Sequence, residues 1–134
     1  MAGSEVESNL VGLGSKPIAR TGPWAVNNAI ADGSTKVLCK AAPGAGKALY
    51  VTHFTVSKVS AATDIAFELQ DEDDNSLFGP IYLVDNGEAV FKKDFPHPIK
   101  LTANKALYAY SPGGKSSDCT VWIEGFTAHE EITR

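Results

Sequence analysis

Apolar and polar residues alternate in short runs along most of this chain, and each run ends at Gly, Pro, Asn or Asp. Ala48 to Val59 is rich in β-branched and aromatic residues, the composition of a strand. Asp64 to Gln70 alternates strictly, with Ile65, Phe67 and Leu69 on one face and Ala66, Glu68 and Gln70 on the other. Further strands are predicted at Thr35–Lys40, Leu77–Val84, Ala89–Lys93, Ile99–Thr102, Ala106–Ser111 and Asp118–Thr127. In the last of these Cys119, Val121 and Ile123 share a face. Gly79-Pro80 interrupts its run and predicts an edge strand or a bulge. Asn86-Gly87 has the chemistry of a type I′ hairpin, and the Pro43-Gly44-Ala45-Gly46 segment that of a hairpin loop.

No apolar spacing of three and four residues persists long enough for an amphipathic helix. A single turn near Trp24–Ala31 is the best helical candidate, and a strand is equally open there. About eight short strands without crossover helices predict an all-β fold, an antiparallel β-sandwich of jelly-roll type. An immunoglobulin-like sandwich ranks second, because the cysteine–tryptophan–cysteine framework is missing. Residues 1–23 differ from the rest. Gly, Pro, Ser and Asn separate Val6, Leu10, Val11, Leu13 and Ile18 without a period. They predict an extended N-terminal arm that orders against a partner chain, ahead of one sandwich domain over residues 24–134.

Composition narrows the classes. A chain of 134 residues holds one core. Hydrophobic residues at 43% and charged residues at 21% argue against wholesale disorder. Twelve Lys and Arg against 16 Asp and Glu give a net charge of −4, which argues against nucleic acid as a partner. The opening residues have neither a basic nor an apolar signal region, and no window is apolar enough for a membrane helix, so no membrane partner is expected. Cys39 and Cys119 are expected to be small buried hydrophobes rather than a disulfide framework.

Candidate chemistry is sparse. The segment ending in Gly46-Lys47 lacks the first glycine of a phosphate loop, where Ala41 stands, and its hydroxyl, where Ala48 stands. Asp71, Asp73 and Asn75 match the start of a calcium loop, but Ser76 and Tyr82 occupy its glycine and glutamate positions. A solvated acidic turn is expected instead. His53, His97 and His129 lie in separate segments without metal-ligand spacing, and His53, mid-strand, is expected to be a buried, hydrogen-bonded histidine. No serine sits in a nucleophile elbow. No catalytic, cofactor-binding or metal residues are assigned, and no enzyme activity is expected.

The aromatics carry more. Tyr108 and Tyr110 share one strand face. Trp122 and Phe126 share another, opposite Cys119, Val121 and Ile123, so both are expected to point outward. Outward aromatics serve a subunit interface, a sugar-stacking platform or a cover for the arm.

The order of segments resembles a known family. Ala42-Pro43-Gly44-Ala45-Gly46-Lys47 runs into the strand Ala48-Leu49-Tyr50-Val51-Thr52. Phe78-Gly79-Pro80-Ile81-Tyr82-Leu83 leads to Asn86-Gly87, then Pro98-Ile99-Lys100-Leu101-Thr102-Ala103-Asn104-Lys105-Ala106-Leu107, and a last strand ends in Glu124-Gly125-Phe126. Over roughly residues 36–127 this resembles the small jelly-roll decoration or cement proteins of tailed bacteriophages. The resemblance implies a non-enzymatic virion protein, made in the host cytoplasm, that binds the outer surface of a capsid as a homotrimer, with the major capsid protein or another virion protein as partner. Leu10, Val11, Leu13, Ile18, Trp24, Tyr108, Tyr110, Trp122 and Phe126 are the expected interface residues. The alternative is a carbohydrate- or receptor-binding β-sandwich of a tail or fibre, with Trp122 and the tyrosines as its platform for a glycan. A cupin-like enzyme ranks third, since it needs several metal ligands converging inside the barrel.

Overall fold

The longest β-branched and aromatic run folds as a single strand, β3 (Lys47–Lys58), at the centre of a sheet. The computed structural model describes residues 22–30, 35–59, 64–83, 89–111 and 119–129. Around β3 stand β1 (Pro23–Ile30), β2 (Val37–Lys40), β4 (Ile65–Asp71), β5 (Ser76–Leu83), β6 (Val90–Lys100), β7 (Leu107–Tyr110) and β8 (Cys119–His129). They form two four-stranded antiparallel sheets, β1-β8-β3-β6 and β2-β7-β4-β5. This is the strand order of a jelly roll, and the all-β sandwich expected from the pattern is present. We call the first sheet A and the second sheet B.

Several local expectations need correction. The 24–31 segment is the strand β1, whose even-numbered side chains from Trp24 to Ile30 are the more buried ones. Its pairing with β8 begins at Pro23, opposite Phe126. The two runs at 89–93 and 99–102 are one strand, β6, with an irregularity between them. Between the pairs Val51↔Ile99 and His53↔Asp94, four residues of β6 oppose Thr52 alone. Pro96 and Pro98 sit there because neither has an amide to offer the ladder. Loop 41–46 crosses from sheet B to sheet A rather than closing a hairpin. Gly44 N–H donates to Asn104 Oδ1 at 2.9 Å, and Asn104 N–H to the Lys47 carbonyl at 2.8 Å. Strands β5 and β6 also belong to different sheets, and Asn86-Gly87, where a hairpin turn is expected, lies outside the described residues. Gly79-Pro80 does fall on an edge strand, β5, beside register shifts with β4.

The core fills the space between the sheets. Phe54 is fully buried and its ring lies 5.2 Å from Phe67, 5.5 Å from Phe78, 5.8 Å from Phe91 and 6.0 Å from Phe95. Tilted and edge-on rings of this kind contribute about 0.5–1.5 kcal/mol each beyond area burial. Ile30, Leu49, Val51, Val56, Val121 and Ile123 complete the sheet A side, and Ile65, Leu69, Leu83 and Leu107 the sheet B side.

The edge strand β1 is held by a close approach. Trp24 packs against the core opposite Gly125. A Cβ on Gly125 would run into the Tyr50 carbonyl oxygen and lie 2.6 Å from Trp24 Cζ2. The Trp24 indole N–H is buried without a partner, a cost set against the ring's packing. Gly125→Ala is therefore expected to lower stability by about 1–3 kcal/mol or more, read as an earlier midpoint in urea unfolding; an unchanged midpoint would show that β1 does not need this contact.

Candidate functional site

With the interior filled by phenylalanine, chemistry is left to the outer faces of the two sheets. A bulge shapes the first. Between Val51 and His53 the β3 strand carries one extra residue, Thr52, relative to β8. The bulge reverses the alternation. Leu49 and Val51 face inward before it, and Phe54 and Val56 after it. His53 and Thr55 are thereby placed on the outer face, beside Glu124 and Trp122 of β8 and Asp94 and Lys92 of β6, so His53 is hydrogen-bonded as expected but only partly buried.

These outward side chains hold one another. His53 Nδ1 lies 2.7 Å from Asp94 Oδ1, and Nε2 lies 2.7 Å from Thr55 Oγ1. A carboxylate only accepts, so Nδ1–H donates to Asp94, and Nε2 shares a hydrogen bond with the Thr55 hydroxyl. Trp122 Nε1–H donates to Glu124 Oε2 at 2.6 Å, and the indole remains 41% exposed. Asp94, His53 and Thr55 stand in the order of an acid–base–nucleophile relay. The Thr55 segment, however, pairs with both Trp122 on β8 and Lys92 on β6, which engages the backbone amides that would have to serve a developing oxyanion.

Phe126 departs from the expected exposure. It is outward, as the alternation requires, but buried: its ring stacks on Tyr50 at 4.7 Å and 5°. With Ala48 and Ala128 these rings form a second, smaller apolar cluster outside the main core. Trp24 is partly buried, with its ring packed against the core. Leu10, Val11, Leu13 and Ile18 lie outside the described residues.

Sheet B presents a different surface. Tyr108 and Tyr110 of β7 pair with Gln70 and Glu68 of β4, and Tyr82 of β5 pairs with Ala66. All of these point away from the core, opposite Leu69, Phe67 and Ala109. Tyr108 and Tyr110 thus lie on the opposite side of the sandwich from Trp122, so a single platform made of all three does not exist.

The Asp71–Asn75 turn joins β4 to β5 and is bonded rather than simply solvated. Asp71 Oδ1 accepts from Asp73 N–H at 2.8 Å and Asn75 N–H at 3.0 Å, and Oδ2 from Asn75 Nδ2 at 3.0 Å. Lys36 Nζ reaches Asp74 at 2.6 Å and donates to the Asp71 and Glu72 carbonyls. Lys105 pairs with Asp73 at 3.0 Å, and Ala106 N–H donates to Glu72 Oε1. Lys105 thus pairs with Asp73, one of the carboxylates that the calcium-loop comparison singled out, and Lys36 with the neighbouring Asp74. Burial alone would raise the Asp71 carboxyl; the hydrogen bonds from Asn75 and Asp73 and the Lys36 charge outweigh it and hold the group below its ordinary 3.8.

The remaining candidates are dispersed. His97 and His129 are exposed on β6 and β8, the two strands that flank His53, but neither pairs with it in register. Among the described residues no group of His, Cys, Asp and Glu is arranged to hold a metal ion. Cys39 and Cys119 are both buried and are not joined in a disulfide, as expected. Burial pushes the Cys39 thiol up to about 12, only partly opposed by a backbone hydrogen bond from Ala109.

Two outcomes follow from these sites. Because the folded Asp71 carboxyl ionises below its unfolded value, its contribution is complete above about pH 4 and is lost as pH falls through the folded value. Asp71→Asn is expected to cost about 1–3 kcal/mol at neutral pH and to flatten the acid limb of stability against pH, measured by urea unfolding from pH 2 to 7. A thiol-reactive chromogen at pH 8 is expected to label neither cysteine in the folded protein and both after unfolding; rapid native labelling would contradict their burial.

No protein-family model matches this chain, and no curated protein matches it.

Proposed function

We propose that this chain is a non-enzymatic structural protein of a phage virion, a jelly-roll module that binds the outer surface of the capsid as an oligomer, with a homotrimer expected. The observation that carries this is the outer face of sheet A. On it Asp94, His53 and Thr55 are fixed to one another, Glu124 holds the Trp122 indole N–H, and that large aromatic ring stands exposed among them. A surface whose rotamers are set before contact loses little side-chain entropy on association. Exposed tryptophan is enriched among residues that dominate interface energetics, and a polar surround excludes water from it. On the β1 side, Ala25, Asn27 and Ala29 are small and exposed, so the approach to Trp122 is not obstructed.

The apolar residues of segment 1–21 precede the edge strand of the same sheet, since β1 follows at Pro23. Leu10, Val11, Leu13 and Ile18 add apolar area for a contact that begins at this edge. Burial of such area stabilises by about 25 cal/mol per Å², repeated over the many copies of a shell. The filled interior supports a structural rather than a cupin-like role, because the space where ligands would converge holds Phe54 and its four neighbouring rings.

The test is the native mass, measured by size-exclusion chromatography with light scattering, together with co-sedimentation with phage capsids stripped of their accessory proteins. The expected result is a mass of three chains, in solution or on the shell, and at least about tenfold weaker association for Trp122→Ala. A protein that stays monomeric and does not co-sediment, or whose association is untouched by Trp122→Ala, overturns the proposal.

A further inference from the structure

The outer face of a sandwich sheet is ordinarily solvated and polar, yet every residue of β4 is buried, on both faces. On the outer face this includes Glu68 and Gln70. Their partners across the ladder, Tyr110 and Tyr108, wall them on the β7 side. Burial of a carboxylate is unfavourable unless its acceptor positions are filled. Among the described residues Glu68 receives a single side-chain hydrogen bond, from Gln70 Nε2 at 3.3 Å. That bond fixes the Gln70 amide and leaves its carbonyl oxygen and its second N–H for something else.

Beside this amide lies a hollow of about 360 Å³, lined by Lys36, Gln70, Asp74 and Tyr110. Its size is within the lower range for small-molecule sites. The lining defines what fits. Lys36 is already engaged by Asp74 and by two main-chain carbonyls, with its ammonium 4.5 Å above the Tyr108 ring, so it is not a free cation for an anionic ligand. Glu68 and Asp74 would repel an anion further. A flat aromatic ring next to a fixed amide, which both donates and accepts, suits a ligand with an apolar C–H face and adjacent hydroxyl groups.

The geometry points to a binding site for a neutral sugar on the outer face of sheet B, with the ring resting on Tyr110 and two neighbouring hydroxyls bonded to the Gln70 amide. Glu68 acts as the positioning residue behind that amide. The site is independent of the sheet A surface assigned to assembly, so either can fail without the other.

The experiment is a titration of the full-length ¹⁵N-labelled chain with methyl glycosides of glucose, galactose, mannose and N-acetylglucosamine. The Gln70 side-chain amide reports on sheet B and the Trp122 indole N–H on sheet A. At least one glycoside is expected to shift the Gln70 amide and the Tyr110 backbone signal while leaving the Trp122 indole in place. Tyr110→Ala and Gln70→Ala are each expected to weaken binding about tenfold or more, and Trp122→Ala to leave it unchanged. Should Tyr110→Ala unfold, the shift pattern of the unaltered protein decides the matter alone. Shifts centred on Trp122, or none with any of the four glycosides up to about 50 mM, a limit corresponding to roughly −2 kcal/mol, would overturn the assignment.

Discussion

A one-residue bulge at Thr52 is the constraint on which both surfaces of sheet A depend. Strand alternation has a period of two, so twelve residues without an interruption would send either Leu49 and Val51 or Phe54 and Val56 to the outside. The extra residue lets both pairs face the core. It also sets which polar side chains emerge, His53 and Thr55 among them, and gives β6 a reason to swing out opposite it. The swing carries Phe95 to the centre, where it meets Phe54 and Phe78 at 6.0 and 5.4 Å. One backbone irregularity therefore completes the core and arranges the outer face together.

The fold class was legible because it is written in short-range features: β-branched runs, strict alternation at Ile65–Leu69 and Cys119–Ile123, and breaks at Gly and Pro. What escaped sequence reading depended on partners distant in the chain. The 89–102 region reads as two strands because Pro96 and Pro98 cannot join a ladder, and only the bulge opposite them shows why the strand continues. Phe126 was correctly placed on the outward face, but outward and exposed are different properties, and Tyr50 is its stacking partner from seventy-six positions earlier. Nothing local to Trp24 reveals that Gly125 makes room for its ring.

The candidate surfaces were legible only in part. Trp122 stood out from its alternation with Val121 and Ile123, and its exposure agrees with that. The Asp94–His53–Thr55 linkage joins residues from two strands and leaves no signature in either. The tyrosines of β7 were visible as a pair, but not that they face away from Trp122 or flank Glu68 and Gln70. The jelly roll itself assigns no activity, since the same strand order serves capsids, lectins and cupins alike. The two sides of this sandwich are chemically unlike, one presenting an indole among fixed polar groups and the other tyrosines over a buried amide and carboxylate.

The antiparallel pairing of β1 with β8 has a mechanical consequence. Eight residue pairs, from Pro23↔Phe126 to Ile30↔Cys119, tie the edge strand to its neighbour. A load applied at Gly22 along the strand axis is shared by all of those pairs at once, as shear. The same load applied across the sheet opens them one after another, beginning beside Trp24 and Gly125. The direction in which the amino-terminal segment is drawn away from the sandwich thus decides whether β1 behaves as a firm anchor or as a zipper.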